Sequence, residues 1–241
     1  MGASMGAMQS MGGAEQRRAV TKRLVQVFGQ MVFVGVILFA AAGRLDWLWA
    51  WVFLGLSLAV VIVFGIFFMP GHLDLVAERS EVKQGTKRWD RVVTTVMLFV
   101  FLAMFIVAGL DARFGWSGEM AVWVHIVAAV LVVLGYALLY WAMLTNRFFA
   151  TTVRIQAERG HQVVDGGPYR FVRHPGYVGI VLNSLAALVL LGSWWALIPG
   201  ALDVALYVLR TELEDRTLQA ELPGYKEYAA RTRYRLIPGL Y

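Results

Sequence analysis

Residues 92–110 read VVTTVMLFVFLAMFIVAGL, a run without a single ionisable side chain. At the helical rise of about 1.5 Å per residue, such a run is about 30 Å long, the thickness of a bilayer's hydrocarbon core. Charge closes it on both sides, with Arg91 before it and Asp111 and Arg113 after it. Outward from this segment the same pattern recurs at 24–43, 47–69 and 119–145, so four segments are long and apolar enough to span. A fifth apolar region, 176–209, is interrupted at Gly192–Trp195 (GSWW) and predicts two shorter helices in a hairpin. Its tryptophan pair suits an interfacial turn, and Trp47, Trp49 and Trp51 mark the start of the second span in the same way. Pro199-Gly200 is expected to kink or loosen the second hairpin helix.

Composition points the same way. Of 241 residues, 59% are hydrophobic and 16% charged, which is too apolar for a soluble domain. The fold expected is an all-α polytopic membrane bundle, four long spans plus a C-terminal hairpin, with a pocket for a cofactor on its cytoplasmic side. There is no cysteine, which excludes disulfides, thiolate nucleophiles and Cys-ligated metals. His72, His161 and His174 are too scattered for a metal triad and no HExxH occurs, so no metal site is expected. The absence of GxSxG, Walker A and GxGxxG patterns removes support for serine-hydrolase, P-loop and Rossmann chemistry.

The net charge of +6 raises the question of nucleic acid. The basic residues follow the loops rather than forming one patch, which fits anionic lipid and not nucleic acid. They lie in the N-terminal tail, loop 70–91, loop 146–175 and the C-terminal segment, with only Arg44 and Arg113 on the other side. That asymmetry places both termini in the cytoplasm with six crossings. The short loops and lean chain point to a prokaryotic inner membrane. Residues 1–23, rich in Gly, Ala and Met, are expected to form a disordered cytoplasmic tail, 24–145 a four-span region and 146–241 a catalytic region.

The polar chemistry gathers in two stretches. Residues 167–179 read GPYRFVRHPGYVG. Gly166-Gly167-Pro168 signals a turn, and Pro175 suits the first turn of a helix capped at His174. The N–H groups of that helix start, bordered by Arg170, Arg173 and His174, suit an anionic group. Tyr177 shares the first turn, and Gly176 and Gly179 permit close approach of a helix or a flat ligand. The plainer alternative is arginines snorkelling to headgroups beside an ordinary helix start. In the second stretch, LRTELEDRTL (209–218), Arg210, Glu214 and Thr217 share a helical face. A short hairpin returns this cluster to Arg173 and His174. His125 and Asn183, inside apolar helices, read as interhelical hydrogen-bond partners, and Asn183 is also a candidate substrate contact two turns into the hairpin. The segment from Glu221 to Tyr241 reads as interfacial.

In order and spacing, ERGHQVVDGGPYRFVRHPGYVG (158–179), the hairpin and RTELEDRTLQAELPGYKEYAARTRYRLIP (210–238) resemble the isoprenylcysteine carboxyl methyltransferase family and, more distantly, phospholipid methyltransferases. The family pattern is a G-x-Y…R-H-P-x-Y-x-G block, a hairpin, then E-E-x-x-L and an aromatic G-x-x-Y element. Here Glu214-Asp215 stands for the acidic pair and Leu218 for the leucine. The resemblance implies S-adenosyl-L-methionine as methyl donor. It assigns the donor's carboxylate to Arg173 and His174, its sulfonium to Tyr169 or Tyr177, and its adenine to His161, Gln162, Val163 and Val164, with Pro175 and Glu214 completing the set. A carboxylate acceptor needs only a cation to orient it, Arg210 or Arg173, whereas an amine or thiol needs a base, for which Glu214 is the candidate. The implied acceptor is amphiphilic or a small hydrophobic molecule, with a carboxylate favoured, and Asn183 and Arg210 are its expected contacts. Two other classes remain open from sequence. One is an NADPH-dependent sterol C14-reductase, which shares the R-H-P-x-Y-x-G block. The other is a transporter or scaffold, which requires polar groups lining a path through the spans.

Overall fold

The computed structural model describes residues 2–68, 71–79 and 85–241, leaving aside the side chains of 2–16, 74 and 77. The helices, in order, are α1 (Gly2–Ala42), α2 (Leu48–Phe67), α3 (Leu73–Glu78), α4 (Arg88–Phe114), α5 (Val122–Thr145), α6 (Pro175–Leu190), α7 (Leu197–Glu221) and α8 (Tyr225–Arg231). Residues 17–42 of α1, together with α2, α4 and α5, are each long and apolar enough to cross a bilayer, and the chain is a multi-pass integral membrane protein. Large apolar side chains such as Val32, Phe99, Trp123 and Ile126 point outward from these helices. So extensive an apolar exterior is what lipid, not water, accommodates.

Two expectations change here. The backbone of residues 2–23 is helical and continuous with the first span, where a disordered tail was expected. Ala, Met, Gln, Glu and Arg in this stretch are good helix formers, which offsets its glycines. Pro199 does not kink the second hairpin helix. It lies in the first turn of α7, where no intrahelical bond is lost, and Gly200 N–H still donates to Ala196 O at 3.0 Å. Met1, residue 69 at the end of the second expected span and Lys83 of the basic loop lie outside the described residues.

Helix α6 runs antiparallel along α5 at a separation only glycine allows. A Cβ on Gly179 would stand 2.7 Å from Gly135 O, and one on Gly135 would stand 2.7 Å from Asn183 N. The i, i+3 glycines thus admit a helix, and Gly176 admits the Phe149 ring. At the far end His125 Nδ1 donates to Leu190 O at 2.8 Å while its ring stacks on Trp49, which bears out the interhelical reading of His125. Asp111, in the last turn of α4, accepts from Ser117 N–H (2.8 Å), Ser117 Oγ (2.5 Å) and Ser193 Oγ (2.5 Å). The hairpin tip, with Gly192 at φ +83°, is therefore tied to the α4–α5 connection. Although α6 has only 16 residues, the hairpin reaches the full depth of the bundle alongside α5.

The main core joins Leu38 of α1, Ala50 and Phe53 of α2, Met104 and Ala108 of α4, Val132 of α5 and Leu188 of α6. A second, smaller core of Ala142, Tyr169, Leu222, Tyr225 and Tyr228 lies at the opposite end of the hairpin from Asp111 and supports the polar cluster there.

Candidate functional site

The polar end of the hairpin is assembled from four pieces of chain. Helix α5 ends at Asn146, whose Oδ1 accepts the Phe148 N–H at 2.9 Å and turns the chain into an irregular segment. That segment is fixed to the start of α4, where Val153 N–H donates to Asp90 Oδ2 at 2.9 Å and Lys87 N–H donates to Val153 O. It carries His161–Val164 to the pocket. The second piece is a 3₁₀ turn, Gly167–Arg170, leading to Arg173 and His174. The third is the end of α7, one uninterrupted helix from the hairpin tip to Glu221, so Arg210, Glu214 and Asp215 ride on the hairpin itself. Finally α8 and the chain end fold back, and Arg173 N–H and His174 N–H donate to Tyr234 O (3.0 Å) and Arg235 O (2.9 Å).

Asp215, fully buried, is the hub. It accepts from Arg173 Nε (2.7 Å) and Nη2 (2.9 Å), Tyr225 OH (3.0 Å), Gln219 Nε2 (2.8 Å) and Arg235 Nε (3.2 Å). Burial alone would raise its pKa, but His174 and Arg173 override burial and hold it well below the usual carboxylate range. His174 Nε2 stands 3.5 Å from Asp215 Oδ1, is buried and makes no hydrogen bond among the described residues. Arg173 is spent on this assembly, since its Nη1 donates to Thr232 O and Arg233 O, each at 2.9 Å.

Arg210 is held differently. Its Nε donates to Asp90 Oδ1 at 2.8 Å and its Nη2 to Thr151 O at 2.9 Å, while its Nη1 makes no hydrogen bond among the described residues. The guanidinium lies 5.4 Å from the Tyr177 ring centroid. Tyr177 OH donates to Glu214 Oε2, and its ring is parallel to that of His174 at 5.7 Å. Arg210, Tyr177 and Glu214 thus form one face of a pocket. On another wall His161 packs on Phe148 at 4.6 Å and its Nδ1 accepts the Gln156 N–H at 3.3 Å. Burial, then Arg154 and Arg159, push the His161 pKa down to about 4, so the ring is neutral at pH 7.

His161, Gln162, Val163, Val164, Tyr169, Arg173, His174, Tyr177, Arg210 and Glu214 all line this pocket. Pro175 is buried beside it at the first turn of α6 and is not in the wall. Asn183 is elsewhere. It donates to Val132 O at 3.1 Å and faces a second, apolar cavity. Sequence reasoning missed Asp90, the partner of Arg210, because one acid among basic loop residues carries no periodic signal. It also set Asp215 apart from the site face, although the adjacent pair Glu214-Asp215 was visible. In an α-helix, neighbours about 100° apart can serve two faces, one toward the pocket and one toward the chain end.

The sequence model of the "Isoprenylcysteine carboxyl methyltransferase (ICMT) family" matches residues 127–220. Two rice proteins, from Oryza sativa subsp. indica and subsp. japonica, each named "Probable protein-S-isoprenylcysteine O-methyltransferase", are 35% identical over 69 residues, 28% of this chain. The match spans only 36% of the length of these curated relatives. Every charged side chain in the pocket wall lies within 127–220, and over that stretch the chain matches the isoprenylcysteine carboxyl methyltransferase family.

Proposed function

We propose that the protein is an integral membrane methyltransferase that uses S-adenosyl-L-methionine to methylate a membrane-embedded or small hydrophobic acceptor, with a carboxylate as the favoured acceptor group. The observation that carries this reading is the Arg210–Tyr177–Glu214 constellation, in one pocket with the His161–Val164 segment. When bound, such a donor supplies an electrophilic methyl group. The chain's residues fit it, because a buried His174 Nε2 lacks a hydrogen-bond partner and the walls combine aromatic rings with peptide groups. The walls enclose about 100 Å³, below the range of about 300–1,000 Å³ typical of ligand pockets. Binding therefore calls for a local opening of the pocket, of the kind common at active sites.

Arginine usage favours a carboxylate acceptor oriented by Arg210. Arg173 is committed to Asp215 and to carbonyls, whereas Arg210 keeps its Nη1 for another acceptor atom. The Tyr177 hydroxyl donates to Glu214 Oε2, which fixes both the ring under Arg210 and the carboxyl group beside it. Glu214 thereby positions these groups for a carboxylate acceptor and is the base available to an amine or thiol. By the loop charges, the pocket end faces the cytoplasm and both termini lie on that side.

Calorimetric titration of purified protein with the donor and its demethylated product, with NADPH in parallel, tests the reading. Donor binding followed by transfer of label to an apolar acid is the expected result. NADPH binding without donor binding would overturn it.

A further inference from the structure

The polar end of the hairpin lies at the level of the lipid headgroups. Helix α6, with 16 residues, is about 24 Å long at about 1.5 Å per residue, short of a hydrocarbon core of about 30 Å. Its far end is fixed at the opposite surface, where the hairpin tip carries the exposed Trp194 and Trp195. The first turn of α6 therefore begins inside the boundary, and the 3₁₀ turn before it falls on the boundary itself. Trp141 marks the same level. It is half exposed, and a Cβ on Gly167 would stand 3.2 Å from its Nε1.

Two pieces of chain meet there. Arg173 N–H and His174 N–H donate to Tyr234 O and Arg235 O, so the chain end runs beside the 170–174 stretch. Large apolar side chains on both pieces stay outside the fold: Phe171 is 63% exposed, Ile237 51% and Tyr234 39%. Arg170 and Arg233, their neighbours in sequence, are exposed too, and neither pairs with an acid among the described residues. Residues 166–174 and 222–241 together hold six basic residues and one acid, Glu227. Of the acids nearby, Asp215 is enclosed in the hub, Glu212 pairs with Arg216 and Arg235, and Asp165 pairs with Arg231. Exposed apolar side chains beside unpaired cations at headgroup depth are the composition of a surface that lies on anionic lipid.

The same chain end builds the site. Arg173 Nη1 donates to Thr232 O and Arg233 O, and Tyr225 and Tyr228 of α8 line the pocket with His174. Whatever orders residues 232–237 therefore orders the wall beside His174.

We propose that Arg170, Phe171, Arg233, Tyr234 and Ile237 form a seat on the anionic leaflet at the pocket end of the bundle, and that this seating keeps the wall beside His174 formed for the methyl donor. The arginines meet lipid phosphates and the apolar side chains enter the headgroup layer. The effect on donor binding rests on the methyltransferase reading. The seating itself does not.

The test is amide hydrogen exchange and donor titration on the full chain in nanodiscs of phosphatidylcholine, alone and with about 30% phosphatidylglycerol. The anionic discs are expected to slow exchange at the Arg173 and His174 amides and across 232–237, and to tighten S-adenosyl-L-methionine binding. Each change is expected to be about tenfold, the scale that two arginines at an anionic surface supply. Arg170→Gln with Arg233→Gln is expected to make the two discs equivalent in both readouts, and about 1 M salt to do the same to the wild type. Phe171→Ser probes the apolar half of the seat and is expected to speed exchange at the same amides in both discs. It also serves if the double variant fails to fold. Glycerol phosphate that slows the exchange equally in phosphatidylcholine discs would overturn the leaflet in favour of a free-phosphate site. Slower exchange in anionic discs with unchanged or weaker donor binding would overturn the coupling. Equal exchange and equal donor affinity in the two discs would overturn the seat and leave the methyltransferase reading standing. Lipid-dependent exchange in a folded protein that binds no donor would do the reverse.

Discussion

The two ends of the α6–α7 hairpin each bury an aspartate, and they use it in opposite ways. At the tip, Asp111 is satisfied by one N–H and two serine hydroxyls, and no cation is paired with it among the described residues. At the other end Asp215 gathers Arg173 and Arg235 with His174 close by, while Arg210 is tied separately to Asp90. The tip is a closed knot with nothing left to offer a ligand. The polar end keeps an unsatisfied His174 Nε2 and an uncommitted Arg210 Nη1. The contrast teaches that burial of polar groups alone does not mark a site in this bundle. Surplus donor capacity does.

The largest effect should come from breaking the hub. Asp215→Asn leaves buried arginine without its counter-charge, a loss of about 3–5 kcal/mol in stability, visible as a lowered Tm and abolished donor binding. Because the folded pKa of Asp215 is depressed, its contribution is full above the unfolded value of about 4 and is lost as pH falls below it. The wild-type Tm should therefore fall more steeply with acidification below about pH 4 than that of Asp215→Asn. A variant as stable as wild type would remove the hub from the account.

Next in size is Arg210→Gln combined with Asp90→Asn, which avoids stranding the buried acid. Turnover should drop about a hundredfold, on the scale of losing a preorganised charge, with the donor dissociation constant little changed. Loss of donor binding with turnover retained on the bound fraction would exchange the roles of Arg210 and Arg173.

At the tip, Ser193→Ala should cost about 1–2 kcal/mol, since a hydrogen bond to a buried carboxylate disappears, and should leave kcat unaltered. A large fall in kcat without a fall in Tm would show that the knot is not merely structural. The last effect vanishes at neutral pH and concerns His161. Its lowered pKa means the folded state resists protonation, so stability should decline as pH falls from about 6.5 toward 4. His161→Asn should flatten that part of the Tm–pH curve, and an unchanged slope would assign it to other groups.

Much of this contrast was legible in the sequence, and for physical reasons. Uninterrupted apolar runs fixed the long spans, because a bilayer sets one length scale. Gly176 and Gly179 announced a close approach, which α5 and Phe149 supply. The turn at Gly192–Trp195 and the return of Arg210 and Glu214 to the 173–177 segment followed from hairpin geometry. What stayed hidden was pairing. Arg173 and Arg210 look alike in a chain of residues, and only tertiary contacts decide that one is enclosed by Asp215 and carbonyls while the other keeps a donor. Asp90 lies in the basic 70–91 stretch, where helix and loop patterns carry no information about a partner 120 residues away. Asn183 was assigned by its distance along the hairpin, but its azimuth on α6 turns it to the apolar cavity.

The most direct test of the central claim is calorimetric titration of S-adenosyl-L-methionine into the wild type, His174→Ala and Ser193→Ala, each first shown to be folded by its Tm. The account predicts one donor site per chain in the wild type and Ser193→Ala, with binding lost or strongly weakened in His174→Ala. Equal donor binding by wild type and His174→Ala, or none by folded wild type, would contradict it.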